Sequence, residues 1–279
     1  MILVFGKTGQ VAKELQRRTK NAIFLGREDA DLSDPQSCAD QVTKHAPSCV
    51  INAAAYTAVD RAENEPDLAQ KVNAEAPAHM AQAAQRLGIP FVHVSTDYVF
   101  DGAGNVPFQP NDPVAPLGVY GRTKLAGEMG VRDAHATPVI LRTSWVFSAH
   151  GSNFVKSMLR HGAEKSEMKI VWDQIGGPTP AADIADALLE IASQRNASGT
   201  YHFSGKSDVS WADFAREIFS LADLDTRVVD IPTTDYPTPA QRPLNSRLDC
   251  SSLESAFGIA RPEWRSGLQD VLKELGASA

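Results

Sequence analysis

The chain of 279 residues is long enough to bury the core of one large α/β domain, or of a domain with a smaller lobe. Its composition, 43% hydrophobic and 22% charged, is typical of a globular protein and argues against disorder. A net charge of -7 without a cluster of Lys and Arg argues against nucleic acid or an anionic membrane as the main partner, so we expect a small-molecule ligand.

Cysteine usage and hydropathy bear on where such a chain works. Cys38, Cys49 and Cys250 are widely spaced and odd in number, which suggests neither a disulfide framework nor a zinc site. The apolar start, Met1 to Phe5, lacks a basic flank and is too short for a signal peptide. No segment approaches the roughly 20 apolar residues of a membrane span, so we expect a cytoplasmic protein.

Short apolar runs alternate with helical periodicity in the first half of the chain, a pattern typical of βαβ units and of a parallel sheet covered on both faces. The predicted strands are Ile2 to Phe5, Ala22 to Leu25, Val50 to Ala54, Phe91 to Ser95 and Val139 to Trp145. The predicted helices are Gly9 to Lys20, Pro35 to His45, Pro66 to Leu87 and Pro116 to Val131.

Beyond about Asn153 the pattern is less regular, which predicts a smaller C-terminal lobe. The predicted strands in this region are Lys169 to Trp172 and Thr200 to Phe203, and the predicted helices are Ala181 to Gln194 and Ser210 to Leu221. The Pro-rich stretch Pro232 to Pro243 cannot form a helix or a central strand, so it predicts a long loop, and loops of that length are usually functional.

The first predicted strand runs into the glycine-rich turn Gly6-Lys7-Thr8-Gly9-Gln10-Val11-Ala12, which opens a helix. In a dinucleotide-binding fold such a turn lets backbone N–H groups and the helix dipole face a pyrophosphate, and a small residue such as Ala12 allows close packing. A nucleoside triphosphatase loop would need a glycine where Met1 stands. The other alternative is a tight turn without a ligand. With the strand order above, the turn favours a Rossmann-type doubly wound sheet.

The second predicted strand is followed by Gly26-Arg27-Glu28, where NAD enzymes usually place an acid for the adenosine ribose. Arg27 can pair with the 2′-phosphate of NADP and so favours NADPH. Glu28 is an acid at the position where NAD enzymes bind the ribose, so NADH remains an alternative. Asp31 and Leu32 lie where adenine contacts are common, although Asp31 is equally well explained as a solvated turn residue.

Tyr120 and Lys124 are four residues apart in a predicted helix and therefore share one face. Reduction of a ketone by hydride requires a proton on its oxygen, and a tyrosine can supply it when a nearby cation stabilises the phenolate. Such a pair occurs by chance in many helices. This one follows the fourth predicted strand, and ligands gather at the carboxyl ends of parallel strands.

Hydroxyl groups end that fourth strand, in Val94-Ser95-Thr96-Asp97. Thr96 is suited to hydrogen-bond a substrate carbonyl oxygen and, with Tyr120, to stabilise the charge that develops there. The alternative is that Ser95 and Thr96 merely cap the strand. Together with Tyr120 and Lys124 the pattern favours the functional interpretation.

Seven segments in combination closely resemble the dTDP-4-dehydrorhamnose reductase family, a branch of the extended short-chain dehydrogenases/reductases. The segments are Gly6-Lys-Thr-Gly-Gln-Val11, Val50-Ile-Asn-Ala-Ala-Ala-Tyr-Thr-Ala-Val-Asp60, Ser95-Thr-Asp-Tyr-Val-Phe100, Tyr120-Gly-Arg-Thr-Lys-Leu-Ala-Gly-Glu128, Arg142-Thr-Ser-Trp-Val-Phe147, Pro178-Thr179 and Tyr236-Pro-Thr-Pro-Ala-Gln-Arg-Pro-Leu-Asn-Ser246. Most of these motifs are shared with many sugar epimerases, whereas their combination with the last segment is specific.

The resemblance implies NADPH-dependent reduction of the C4 ketone of dTDP-4-dehydro-β-L-rhamnose to dTDP-L-rhamnose, a precursor of cell-surface polysaccharide, with NADH as a second donor. The expected catalytic residues are Tyr120, Lys124 and Thr96. The expected cofactor-binding residues are Gly6, Gly9, Gln10, Val11, Arg27, Asp31, Leu32, Ala54, Ala55, Tyr56, Tyr120 and Lys124. The expected residues for the dTDP-linked 4-keto-6-deoxy sugar are Thr96, Asp97, Trp145, Arg242 and Asn245. An alternative for Trp145 is a core aromatic, whereas Arg242 also suits a diphosphate on chemical grounds.

On this basis residues 1–147, completed by parts of 168–205, are expected to bind NAD(P), and residues 148–279 mainly the substrate. Two positions depart from the family. Tyr56 stands where His is usual, which changes the polarity of the cofactor wall. Some members dimerise around a magnesium ion held by glutamates, but only Glu14 matches, since the other position is Ala182. We therefore expect no bound metal and no magnesium-bridged dimer, and a homodimer of another kind stays open.

Two other classes of function compete with the reductase. A non-catalytic binding subunit is one, because the regulatory subunit of methionine adenosyltransferase is similar to this family. A nucleotide-sugar epimerase or dehydratase is the other. A dehydratase generally needs an extra acid pair, and here Asp97 is followed by Tyr98 where a Glu would be expected.

Overall fold

Six parallel strands form the central sheet of the computed structural model, which describes residues 1–194 and 197–277. Their order across the sheet is β10-β5-β4-β3-β1-β2. The strands are β1 (Ile2–Phe5), β2 (Ala22–Leu25), β3 (Cys49–Asn52), β4 (Phe91–Thr96), β5 (Val139–Thr143) and β10 (Gly199–Phe203). Every neighbouring pair is parallel, so the predicted doubly wound sheet is confirmed.

Helices cover both faces of this sheet. They are α1 (Gln10–Arg18), α2 (Pro35–His45), α3 (Val59–Ala62), α4 (Pro66–Gln70), α5 (Ala76–Leu87), α6 (Val119–Ala134) and α8 (Ala181–Ser193). Side chains alternate along the strands. Val4 of β1 packs with α1 and α8, while Leu3 and Phe5 pack with α2 and α5. From β1 the chain adds β2 on one side of the sheet and then β3 on the other. This reversal of the strand order creates a topological switch point, which is where α/β sheets bind their ligands.

A second core lies in the C-terminal part of the chain. Its helices are α7 (Phe154–Gly162), α9 (Trp211–Leu221) and α11 (Trp264–Glu274), whereas α10 (Ser251–Phe257) packs against the central sheet beside β10. Its short strands are β6 (Val146–Phe147), β7 (Glu167–Val171), β8 (Ile175–Gly176), β9 (Thr179–Pro180), β11 (Val209–Ser210), β12 (Arg227–Ile231) and β13 (Asn245–Ser246). Aromatic side chains including Phe147, Phe214 and Trp264 fill this core.

Two predicted elements differ from the structure in an informative way. The helix predicted from Pro66 to Leu87 contains a π-helical turn, Lys71–Glu75, between α4 and α5. Pro77 explains the interruption because it has no N–H to give to the carbonyl of Asn73. The strand predicted from Val139 to Trp145 ends at Thr143, since Trp145 adopts a left-handed conformation with φ of 48°.

The Pro-rich stretch Pro232 to Pro243 contains only the short 3₁₀ turn Thr233–Asp235, so the predicted loop is confirmed. No helix within residues 1–194 and 197–277 is long and apolar enough to cross a membrane. The sequence did not predict α7, β12, α10 or α11, all of which lie in the part of the chain where the apolar pattern is less regular.

Candidate active site

A cleft with a volume of about 800 Å³ opens at the carboxyl ends of the central strands. It is lined by the glycine turn, by the segments that follow β2, β3, β4 and β5, and by the first turns of α6. Twelve of the predicted catalytic and cofactor-binding residues lie in this lining. Asp97 and Trp145, which were predicted to contact the sugar, also lie in it. The twelve are Gly6, Gly9, Gln10, Val11, Arg27, Asp31, Leu32, Ala54, Ala55, Thr96, Tyr120 and Lys124.

The glycine turn is shaped by a close approach of backbone to backbone. Gly6 has φ of 103°, and a Cβ at this position would lie 3.0 Å from the backbone of Ala53 and Ala54. Gly9 precedes the first helical residue, Gln10, so the unpaired N–H groups of the first turn of α1 lie at the cleft. The turn therefore offers backbone donors and a positive dipole end to an anionic ligand.

The glutamine that follows the turn ties it to the C-terminal lobe. The Gln10 Oε1 accepts hydrogen bonds from Ser148 Oγ at 3.1 Å and from Asn153 Nδ2 at 2.8 Å. The Asn153 side chain also caps α7. The position of α7 is thus coupled to the phosphate-binding end of the cleft.

Charged side chains surround the end of β2. The Arg27 side chain is 75% exposed, and its Nε lies 3.5 Å from the carboxylate of Asp31. A hydrogen bond from the Ser33 N–H lowers the pKa of Asp31. Lys7 of the glycine turn pairs with Glu28 at 3.0 Å. Two cations and the carboxylates of Glu28, Asp29 and Asp31 therefore lie at this rim, with the guanidinium of Arg27 largely open to solvent.

Tyr56 departs from its predicted position in the cofactor wall. Its hydroxyl donates to Glu65 at 2.6 Å, and this hydrogen bond raises the pKa of the Tyr56 phenol. The phenol lies outside the lining, which at this point consists of Ala54, Ala55 and Thr57. The contact joins residues nine positions apart, and the sequence did not indicate that they lie close together.

Tyr120 lies in the first turn of α6. The start of this helix is held by the carboxylate of Glu63, which lies on another element. Glu63 Oε1 accepts the backbone N–H of Val119 at 2.7 Å. The ring of Tyr98 packs edge-on against that of Tyr120, with centroids 5.4 Å apart. Glu63 thus fixes the start of the helix that carries the predicted proton donor.

Burial dominates the electrostatics of Tyr120. Desolvation raises the pKa of the phenol above its ordinary value of 10, although the Thr96 hydroxyl acts in the opposite direction. Asp97 and Tyr98 raise this pKa further. The phenol is therefore protonated at neutral pH in this structure, and a nearby cation is needed before it can release its proton readily.

Lys124 is the residue predicted to supply that cation, and it is 2% exposed. Its Nζ donates to the carbonyl of Val94 at 2.8 Å. Burial lowers its pKa to about 8, and the charge of Glu128 one turn further along α6 opposes this shift. Glu128 in turn pairs with Arg142 Nη2 at 2.6 Å. This buried ion pair keeps the carboxylate of Glu128 negatively charged near the lysine.

Unsatisfied polar atoms lie at the ends of β4 and β5. Thr96 Oγ1 donates to Asp97 Oδ1 at 3.0 Å, whereas Asp97 Oδ2 and Thr143 Oγ1 are buried without a partner. Burial raises the pKa of Asp97 to about 6, although Ser246 and Thr96 oppose the shift. Thr96 and Thr143 are register partners on adjacent strands. Such orphaned groups are suited to the hydroxyl groups of a ligand.

Trp145 lines the cleft where the chain leaves β5. Its indole stacks on that of Trp211 with centroids 3.6 Å apart and planes inclined by 11°. Trp211 Nε1 donates to Gln174 Oε1 at 3.1 Å, which orients the second indole. Trp145 is therefore both part of an aromatic cluster and a wall of the cleft, and Trp211 is a supporting residue that the sequence did not single out.

Arg242 and Asn245, predicted to contact the sugar nucleotide, lie beyond the lining of the cleft. Arg242 Nη2 donates to Asp60 at 2.7 Å, while Nη1 is buried without a partner. The guanidinium also lowers the pKa of Tyr98, which burial raises to about 12. Arg242 thus lies directly behind a residue of the lining and has a free donor.

The Asn245 side chain is occupied within the loop. It is 2% exposed, and its Nδ2 donates to the carbonyls of Ala103 and Val106 at 3.3 and 2.9 Å. Its Oδ1 accepts from Arg247. The structure therefore gives this amide a role in shaping the Pro-rich segment, which differs from the predicted ligand contact.

Glu14, the residue that matches a magnesium ligand in some relatives, is engaged in ion pairs. It lies 2.6 Å from Arg18, 3.7 Å from Arg17 and 3.4 Å from His150. Among the residues that the structure describes, no group of three or more His, Cys, Asp or Glu side chains could hold a metal ion.

Comparison with known proteins places this cleft in context. Residues 1–277 match the model of a family described as RmlD substrate binding domain. A dTDP-4-dehydrorhamnose reductase of Sinorhizobium fredii is 45% identical over 284 residues, which cover 97% of this chain and 96% of the relative.

Solved structures agree with the sequence relatives. A dTDP-4-dehydrorhamnose reductase from Clostridium acetobutylicum superposes with a TM-score of 0.94 at 38% identity and covers 99% of both chains. The enzyme of the same name from Bacillus anthracis, in complex with NADP, has a TM-score of 0.93 at 34% identity and 98% coverage of both chains.

Proposed function

Because this chain belongs to the dTDP-4-dehydrorhamnose reductase family, it is an NAD(P)H-dependent oxidoreductase, and we propose that it reduces the C4 ketone of dTDP-4-dehydro-β-L-rhamnose to dTDP-L-rhamnose. NADPH is the preferred donor and NADH a second one. The observation that carries the proposal is the convergence of Thr96, Tyr120 and Lys124 in one cleft with the glycine turn.

The cradle for the cofactor fits a dinucleotide. The close approach of Gly6 to the backbone after β3 and the open first turn of α1 suit a pyrophosphate, with Gly9, Gln10 and Val11 alongside it. When bound there, NADPH supplies the hydride. Arg27 is open to receive a 2′-phosphate, and Lys124 holds the nicotinamide ribose.

Further cofactor contacts follow from the lining. Asp31 and Leu32 flank the adenine, and Ala54 and Ala55 form the wall beyond β3. Tyr56 contributes its backbone, because its phenol is bound to Glu65. We assign residues 1–147, with parts of 168–205, to cofactor binding and residues 148–279 mainly to the substrate.

Tyr120 is the proton donor in this mechanism. Its phenol is protonated at neutral pH, and Lys124, as an ammonium, stabilises the phenolate that forms when the proton moves to the O4 atom. Thr96 donates to the same oxygen as negative charge develops there. To do so, the Thr96 hydroxyl exchanges its hydrogen bond to Asp97 Oδ1 for one to the substrate oxygen.

The sugar nucleotide is bound by the other orphaned groups. Asp97 Oδ2 accepts a sugar hydroxyl, and Trp145 forms the apolar wall against the hexose. Arg242 reaches the diphosphate with its free Nη1. Asn245 stabilises the Pro-rich loop through its hydrogen bonds to the carbonyls of Ala103 and Val106. We expect no magnesium-bridged dimer, because Glu14 is already paired and Ala182 offers no ligand atom.

Replacing Tyr120 by Phe tests the mechanism. We expect kcat to fall by roughly 10²- to 10⁴-fold, since the proton donor is lost. NADPH affinity, measured by fluorescence titration, should change little. NADPH absorbance with a panel of dTDP- and UDP-linked 4-keto-6-deoxy sugars gives the rate. Tyr201→Phe is the matched control, because the Tyr201 hydroxyl donates to Ser198 and lies away from the cleft. A Tyr120→Phe rate equal to that of the unaltered protein would rule out the assignment.

The same assay separates the competing functions. A reductase consumes NADPH in proportion to product, whereas an epimerase retains its cofactor and needs none added. Turnover by the purified chain without any second protein excludes a purely regulatory subunit. Absence of turnover with every sugar of the panel would contradict the proposed function itself.

A further inference from the structure

A chain of buried polar side chains lies beneath the cleft and is not used by the mechanism above. Asn52 ends β3, His93 lies in β4, and both are fully buried beside Lys124 of α6. Asn52 and His93 are register partners on adjacent parallel strands, so their side chains share one face of the sheet. This contact could not be predicted from the sequence, because 41 residues separate the two.

The hydrogen bonds of Asn52 set the orientation of its amide. The backbone N–H of Ala54 donates to Asn52 Oδ1 at 3.1 Å, so the oxygen faces the backbone. Asn52 Nδ2 therefore faces His93 Nδ1, also at 3.1 Å, and must be the donor of that bond. His93 Nδ1 is the acceptor and carries no proton.

The other nitrogen of the imidazole then carries the single proton of the ring. Burial, together with the charges of Lys124 and Arg132, lowers the pKa of His93 well below 6.5, so the ring is neutral. A neutral imidazole whose Nδ1 accepts has its proton on Nε2. The Nε2–H group faces Lys124 Nζ at a distance of 3.4 Å.

This contact discriminates between the two protonation states of the lysine. An ammonium has only hydrogens to present, so it meets the N–H of His93 with hydrogen against hydrogen. A neutral amine has a lone pair that can accept from Nε2–H while it still donates to the carbonyl of Val94. The geometry thus stabilises the neutral form of Lys124 relative to the charged form.

We propose that His93, oriented by Asn52, is a positioning residue that stabilises the neutral amine of Lys124 and so sets the upper pH limit of the Tyr120–Lys124 pair. The inference rests on the proposed function for its catalytic consequence only. Above that limit Lys124 loses its charge, and Tyr120 loses the cation that supports its phenolate.

Other charges around the lysine act alongside His93. Glu128 of α6 raises the pKa of Lys124, and it is held by Arg132 of the same helix and by Arg142 of β5. Ser95 of β4 also donates to Glu128. These groups remain in place when His93 alone is changed, so a comparison of His93 variants isolates the contribution of the imidazole.

Nitrogen-15 NMR of the unaltered protein tests the geometry without any substrate. We expect His93 to be neutral with its proton on Nε2 from about pH 6 to about pH 9. The Lys124 Cε resonance, assigned with a Lys124→Met variant, should titrate well below the ordinary lysine value of roughly 10.4. A proton on Nδ1, or an ordinary lysine titration, would overturn the proposal.

Two His93 variants then test the consequence. His93→Leu removes the N–H donor, so the Lys124 titration and the alkaline limb of kcat should both move up by about 0.5 to 1 pH unit. His93→Gln can accept from Asn52 with Oε1 and donate to Lys124 with Nε2, so both midpoints should stay near those of the unaltered protein. A purely structural role would lower stability in both variants and leave both midpoints unchanged.

The failures of the two proposals are distinguishable. If no keto-sugar is reduced, the proposed function falls, while the His93 tautomer and the Lys124 titration still report on the network. If reduction occurs but His93→Leu leaves the Lys124 titration where it was, the network proposal falls alone. The measurement on the unaltered protein does not depend on either variant folding.

Discussion

Asp97 is a carboxyl group that the fold holds in an unfavourable environment. It is buried, one of its oxygens has no partner, and burial raises its pKa from 3.8 to about 6. A raised pKa means that the folded protein binds the proton more tightly than the unfolded chain does. The associated stability is complete below about pH 3.8 and is lost as the pH rises through 6. The loss corresponds to about 3 kcal/mol.

Replacing Asp97 by Asn should therefore change stability in a pH-dependent way. At about pH 8 we expect the variant to be more stable by roughly 1 to 3 kcal/mol, because no buried charge remains. At about pH 4 the difference should nearly vanish. Denaturant unfolding at both pH values measures this, and Asp101→Asn, at an exposed position, is the control. An equal difference at both pH values would contradict the argument.

The residues that the sequence could identify are those whose role depends on order along the chain. Tyr120 and Lys124 were predicted from their spacing and from their place after the fourth strand, and both line the cleft. Glu63 and His93 could not be predicted in this way. Their contacts, with the start of α6 and with Lys124, arise from how separate elements pack and from the strand register.

At the scale of elements, α6 approaches its neighbours unusually closely through glycines. A Cβ on Gly127 would lie 2.0 Å from the carbonyl oxygen of Asn73 in the π-helical turn. The Asn73 side chain in turn bonds Thr123 of α6 at 3.1 Å and the backbone of Tyr56. The π-helical turn and α6 therefore form one unit that fixes the height of Tyr120 and Lys124 above the sheet.

Gly127→Ala should disrupt this unit. Alanine favours an isolated helix by about 1 kcal/mol over glycine, but the clash with a backbone oxygen should outweigh the gain and destabilise the protein by roughly 1 to 3 kcal/mol or more. Gly130→Ala is the comparison on the same helix, because its Cβ would make a tight contact of 3.0 Å with the Ala78 side chain but would lie 3.9 Å from the nearest backbone atom outside the helix, the carbonyl oxygen of Ala74. Guanidinium unfolding compares the two. A Gly127→Ala variant no less stable than Gly130→Ala would show that the helices can separate at little cost.

The boundaries of elements were the less predictable part of the fold. Periodicity located the five N-terminal strands, yet it did not reveal the π-helical turn within Pro66 to Leu87, since that turn depends on the missing N–H of Pro77 and on the close approach of Gly127. The two-residue strands β8, β11 and β13 were also missed. Elements this short carry no periodicity and exist only because the chain folds around them.

For the whole molecule, the Pro-rich segment connects distant parts of the chain across the cleft. Arg242 pairs with Asp60, and Ala240 N–H donates to the same carboxylate at 3.2 Å. The loop after β3 is thereby joined to a segment about 180 residues away. The free Nη1 of Arg242 is directed by this pairing, so one carboxylate orders both the loop and its cation.

Arg242→Gln should weaken binding of the sugar nucleotide selectively. Loss of a charge-assisted hydrogen bond to the diphosphate is worth about 1.5 to 3 kcal/mol, so KM for the sugar nucleotide should rise by roughly 10- to 150-fold. KM for NADPH should change by less than about threefold, since Arg242 lies beyond the cofactor side of the cleft. Steady-state kinetics with each substrate varied in turn measures both constants.

Arg265→Gln is the control for that measurement, because Arg265 pairs with exposed acids of the C-terminal helices far from the cleft. An Arg242→Gln enzyme with an unchanged KM for the sugar nucleotide would show that Arg242 acts only on Asp60. A raised KM for NADPH instead would show that the guanidinium of Arg242 binds the cofactor and not the sugar nucleotide.

The last strand of the central sheet has a consequence for synthesis on the ribosome. Strand β10 begins at Gly199, and it covers β5, whose five residues are all buried in the finished fold. Until β10 emerges, the edge of β5 presents open backbone N–H and C=O groups to any other nascent chain. The central sheet is thus completed only after nearly three quarters of the chain has been translated. During that interval the open edge of β5 exposes the growing polypeptide to strand pairing with other chains, and so to aggregation.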